Sequence, residues 1–147
     1  MALIDWTILI PVGVLLIATI CDLRTREIPD TLSLVLIGWG LLAKLLGWIT
    51  LPWLALGLGV VLGLATTLPF FWAGGLGGGD VKLIVALGLV IGPVGLTITL
   101  FGMALAGGGL ALLAFARGQK DYAYVPAILA GLLLCILCEV YIGKNLV

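Results

Sequence analysis

The chain has 147 residues, 63% of them hydrophobic and only 10% charged, with no net charge and a mean hydropathy of +1.37. A water-soluble domain carries roughly 25% charged residues, and one small core cannot hide so much apolar surface, so most of it is expected to face lipid. The charge balance leaves no basic patch for nucleic acid, and the absence of histidine excludes Ser-His and Cys-His nucleophile pairs and the paired-His zinc motif.

Six apolar segments follow one another at about 6–21, 31–49, 51–73, 81–92, 93–116 and 124–142. A membrane-crossing helix needs about 20 residues. The second, third, fifth and sixth segments reach that length, and the first does so by including Leu3 and Ile4. The fourth is short, and Gly92-Pro93 parts it from the fifth, either as a tight turn or as a kink in one long helix. An all-α membrane protein with about six transmembrane helices is therefore expected, with five as the alternative, forming a single polytopic domain over residues 1–147. The N-terminus has no basic region before its apolar run, so no signal peptide is expected.

In the six-helix arrangement Arg24, Arg26, Lys82, Arg117 and Lys120 share one side, and Lys44 and Lys144 the other. The positive-inside rule makes the richer side cytoplasmic and the N-terminus external, in the cell membrane. Lys44 lies close enough to its segment end to snorkel to the interface. Cys135 and Cys138 form a Cys-x-x-Cys inside the apolar run Leu132 to Val140, and read as packed cysteines. No metal or cofactor is expected.

Most acidic residues have structural explanations. Asp5 and Asp121 stand in polar margins, Glu139 reaches the headgroups from the outer end of the last segment, and Asp30, after Pro29, reads as the N-cap of the second helix. Asp22 differs: it follows the uncharged stretch Trp6 to Cys21. Asp80 closes the run Gly74-Gly75-Leu76-Gly77-Gly78-Gly79 and opens the next segment with Val81-Lys82-Leu83. Two crossings separate these aspartates, so both are expected at one face of the membrane. A flexible linker is also glycine-rich, but this run ends on an acid and passes straight into an apolar helix. Taken alone, Asp80 reads equally well as an N-cap.

Two carboxyls held together share one proton and titrate as a coupled pair. The ionised member takes a proton from water while the protonated one donates to a scissile carbonyl. Of the peptidase mechanisms, this is the one the composition leaves open.

These residues resemble the type IV prepilin peptidase family, which includes archaeal preflagellin peptidases. Its first element reads Asp22-Leu23-Arg24-Thr25-Arg26-Glu27-Ile28-Pro29-Asp30, and its Gly-x-Gly-Asp element reads Gly77-Gly78-Gly79-Asp80-Val81-Lys82-Leu83. The similarity covers roughly residues 10–115. It implies that Asp22 and Asp80 are the catalytic pair of an aspartic endopeptidase that cleaves the short basic leader from pilin-like or archaellin-like precursors at the cytoplasmic face. Gly77, Gly79 and Lys82 fall in the matching motif as substrate-binding or loop-shaping positions, Lys82 either biasing the dyad electrostatically or anchoring at the interface. Larger relatives carry an extra domain with paired Cys-x-x-Cys motifs for N-methylation; the resemblance here is to the short form, without methyltransferase activity. Presenilin-like peptidases pair Gly-x-Gly-Asp with Tyr-Asp, where this chain has Cys21-Asp22. Two other readings compete: a transporter using intramembrane carboxylates, and a structural subunit assembling through Gly59-x-x-x-Gly63.

Overall fold

A computed structural model describes residues 6–25, 28–116 and 125–145. Among them are five α-helices and no strand: after a 3₁₀ turn, Trp6–Ile8, come α1 (Leu9–Thr25), α2 (Asp30–Leu45), α3 (Trp53–Trp72), α4 (Gly78–Ala116) and α5 (Val125–Asn145). Leu3, Ile4, Asp5, Arg26, Glu27, Arg117, Lys120, Asp121 and the side chain of Lys144 lie outside the described residues.

Prolines and glycines punctuate the helices. Pro29 and Pro52 precede α2 and α3 in extended conformations, where a residue without an N–H leaves no donor unsatisfied. Both helices end in the same way. Gly47 and Gly74 adopt φ of 77° and 74°, a region that favours glycine. After α3, Gly74 N–H donates to Phe71 O and Gly75 N–H to Phe70 O; after α2, Gly47 N–H donates to Lys44 O and Trp48 N–H to Ala43 O. These paired bonds satisfy the last carbonyls of each helix. The glycine run after α3 thus begins as a helix stop rather than a linker. Lys44 does not merely snorkel, because its Nζ donates to the carbonyls of Ile49 and Leu51 and lies 5.7 Å from the centre of the Trp53 ring.

The fourth and fifth apolar segments form one element, α4, broken at Gly92, whose φ of 71° and ψ of −176° are not helical. A Cβ on Gly88 would meet a Leu96 methyl at 3.0 Å, whereas eight residues of straight helix rise about 12 Å. Gly92 reaches Leu51, just before α3, while Gly108 lines a cavity with Gly75, just after α3. The two arms of α4, 78–91 and 93–116, therefore double back on each other, and Gly92-Pro93 is the tight turn. Among the described residues two helices suffice by length and composition to cross a membrane, Trp53–Trp72 and, with the two arms of α4 taken together, Gly78–Gly109, fewer than the six expected. The capping at Pro29 and Gly47 confines α2 to 16 residues, about 24 Å of rise against a hydrocarbon layer near 30 Å. Even so, α1, α2, α3 and α4 all turn large apolar side chains outward, among them Ile17, Val35, Leu54 and Phe101. This is the surface of a membrane protein.

The core is made by Leu15, Leu36, Leu56, Leu83, Leu87, Ile91, Ile128 and Leu132. Close crossings around it rely on missing side chains. A Cβ on Gly59 would fall 2.2 Å from Gly88 O, and one on Gly63 would fall 3.2 Å from Val85 Cα. The Gly59-x-x-x-Gly63 pair is thus used within the chain, between α3 and the first arm of α4. At the second arm, a Cβ on Gly131 would fall 2.1 Å from Thr99 O. Gly59→Ala should destabilise the folded chain by about 1–3 kcal/mol, the usual cost of overpacking. Gly57→Ala, with nothing within 4 Å of the new methyl, should not. Reversible unfolding of both variants in mixed micelles, beside the wild type, measures the difference.

Candidate active site

Asp22 occupies the last turns of α1 and Asp80 the first turn of α4, and both are buried, at 8% and 7% exposure. They line one pocket of about 430 Å³ together with Ile28, Asp30 and Gly77 to Gly79.

Each carboxylate is held by a backbone N–H at the start of a helix. Asp22 Oδ2 accepts from Val125 N–H, at the first residue of α5, at 3.1 Å. Asp80 Oδ2 accepts from Gly77 N–H at 3.2 Å. These N–H groups have no partner within their own helices, and the positive end of the helix dipole favours an anion there. Asp80 is thus not the N-cap itself: it is the third residue of α4 and reaches back to the residue before the helix. Only one of its oxygens is occupied. Asp80 Oδ1 is buried and has no hydrogen-bond partner among the described residues, an arrangement that is costly unless something else fills it.

The glycines of the motif serve this geometry. A Cβ on Gly77 would stand 3.1 Å from Asp80 Oδ2, crowding the carboxylate off the N–H it accepts from. A Cβ on Gly79 would stand 2.8 Å from Ile28 Cβ, so glycine there lets the segment before α2 pack directly on the segment opening α4. Ile28 reaches the pocket by this approach.

Asp30 is a correction to the sequence reading. The residue before α2 is Pro29, and no side chain caps that helix. Asp30 is the first helical residue, lines the pocket, and accepts a hydrogen bond from Lys82 Nζ at 2.7 Å. Lys82 thus ties the start of α4 to the first turn of α2. With side-chain exposures of 55% and 63%, the ion pair contributes only about 0–1 kcal/mol to stability. Outside the pocket, Cys135 is buried and Cys138 half-buried, both as free thiols.

Two participants had no clear sequence signal. Val125, the donor to Asp22, lies 103 residues away from it. Ile28 is an ordinary apolar residue whose role depends on Gly79. Asp30 did carry a signal, because it closes the Asp-x6-Pro-Asp element.

Residues 9–112 match the type IV leader peptidase family. They cover most of the chain and include both buried aspartates, and the chain belongs to this family. No curated protein and no solved structure matches it.

Gly79→Ala should lower peptidase activity at least about tenfold by wedging Ile28 away, a displacement of the kind that costs rate without touching the reacting groups. Combining it with Ile28→Gly should recover part of the loss. Turnover of the single and double variants at equal folded concentration measures both effects.

Proposed function

We propose that this member of the type IV leader peptidase family is an intramembrane aspartyl endopeptidase that cleaves the short basic leader from pilin-like or archaellin-like precursors, with Asp22 and Asp80 as its catalytic pair. The observation that carries the proposal is the orphaned Asp80 Oδ1, buried in the same pocket as the Asp22 carboxylate. A buried carboxyl oxygen without a partner is poised for a proton, a water or a substrate carbonyl.

In the proposed reaction the pair begins with one shared proton. The ionised carboxylate takes a proton from water as the water oxygen bonds to the scissile carbonyl carbon. The protonated carboxyl donates to the carbonyl oxygen, giving a neutral tetrahedral diol. On collapse the C–N bond breaks and the amide nitrogen takes a proton from one carboxyl, while a hydroxyl of the diol returns a proton to the other. The new carboxyl group holds the water oxygen, the new amine leaves, and the pair regains its single proton. Val125 N–H and Gly77 N–H orient the two acids. Gly77, Gly79 and the Lys82–Asp30 pair shape the loops that carry them.

The proposal places the protein in the cell membrane as a multi-pass chain, with its N-terminus outside and the site at the cytoplasmic face. There a basic leader stays in water while the following apolar helix rests in lipid. It includes no methyl transfer and no cofactor.

Asp22→Asn and Asp80→Asn should each lower leader removal by at least about 100-fold, the lower end of general acid–base contributions, while leaving membrane expression intact. Co-expression with candidate precursors, followed by mass measurement of the mature N-terminus, reads this directly. Full cleavage by either variant would overturn the assignment. A pair sharing one proton also requires a bell-shaped pH profile: the rate falls in acid when both members are protonated and in base when both are ionised. A profile of kcat/KM in detergent or vesicles checks that shape.

A further inference from the structure

Beside the carboxylate pocket lies a second cavity, of about 380 Å³, between the C-terminal half of α3 and the second arm of α4. The segment 75–80 separates the two: Gly75 and Leu76 wall the cavity, and Gly77 to Asp80 wall the pocket. Leu100, Ala104 and Gly108 line the cavity at four-residue spacing, beside a second row of Met103 and Gly107, and Phe70 faces them from α3. One side of segment 75–80 therefore presents three aspartates and the other a mostly apolar recess.

Neighbouring cavities of opposite character impose a direction on a peptide lying across them. Cationic and polar residues suit the side with Asp22, Asp30 and Asp80. Large apolar side chains suit the other, and its volume lies within the range of small-ligand pockets. It is too small for a helix about 10 Å across, so it takes side chains rather than a whole segment.

We infer that this cavity is the specificity subsite for the large apolar side chain that follows the scissile bond. The inference rests on the peptidase reading above, from which it takes the location of the scissile bond at Asp22 and Asp80. The carboxylate pocket then holds the cationic leader side, and the apolar side chain is withdrawn from lipid into the recess between α3 and α4.

Gly108 offers a clean test. Nothing lies within 4 Å of a Cβ added there, and the same holds for Gly109. Leucine at either position raises helix propensity. Gly108 lines the cavity, whereas Gly109 does not and is turned about 100° from Gly108 on the side away from Gly107.

The experiment uses the full chain in lipid vesicles and two synthetic precursor peptides that differ only in having Phe or Ala after the scissile bond. Wild type should prefer the Phe peptide by at least about tenfold in kcat/KM, as filling an apolar pocket typically gives. Gly108→Leu should remove most of that preference by raising KM for the Phe peptide, with the Ala peptide cleaved as by wild type. Gly109→Leu should leave both unchanged. The inference is overturned if the two variants behave alike, or if wild type cleaves both peptides equally, as a recess filled only by lipid would allow. Cleavage of neither peptide by wild type would instead bring down the peptidase reading, and this inference with it.

Discussion

A carboxylate withdrawn from water must find donors, because an unpaired buried charge costs several kcal/mol or more. In this chain Asp22 and Asp80 are each supplied by one backbone N–H at a helix start, from Val125 and from Gly77. That requirement organises the molecule. The end of α1, the start of α4 and the start of α5 must meet at one level, and the helices between them return the chain there. The two aspartates are therefore partly neutralised by the backbone, and the oxygen left over on Asp80 is the exception on which the proposed chemistry depends.

Glycine makes this meeting possible in three different ways. At Gly59, Gly88, Gly102 and Gly131 it removes side chains so that helices touch backbone to backbone, the form of contact that binds helices where no hydrophobic force separates protein from solvent. At Gly47, Gly74 and Gly92 it supplies positive φ, ending two helices and turning a third back on itself. At Gly77 and Gly79 it clears space beside a carboxylate and beneath Ile28. Composition reports only an excess of one residue type. Position shows that the excess serves packing, turning and site geometry separately.

Much of this was legible in the chain itself. Long apolar runs predicted a helical membrane protein. Asp22 stood out as a charge beside an uncharged stretch, and Asp80 as an acid following glycines and opening a helix. The even number of crossings between them predicted a common level, and they line a common pocket. Other features were hidden. Asp30 fits capping preferences, yet Pro29 sits in the boundary position and Asp30 instead pairs with Lys82; only tertiary proximity brings residues 30 and 82 together. The Val125 N–H is a backbone group, and backbone groups leave no mark in a residue pattern. Gly92-Pro93 was compatible with both turn and kink, and the choice depended on which partners the two flanking arms could reach.

The contact between Gly59 and Gly88 has one more implication, concerning register. It pins the first arm of α4 against α3 two turns beyond Asp80, while the helix stop at Gly74 fixes the other end of the short connection. Each residue added or removed between Asp80 and Gly88 would swing the carboxylate by about 100° around the helix axis and shift it about 1.5 Å along it. Composition there is negotiable in a way that length is not. The spacing between an acid and a glycine eight positions later is what aims Asp80 at its neighbour, and the helix acts as a dial with a single useful setting.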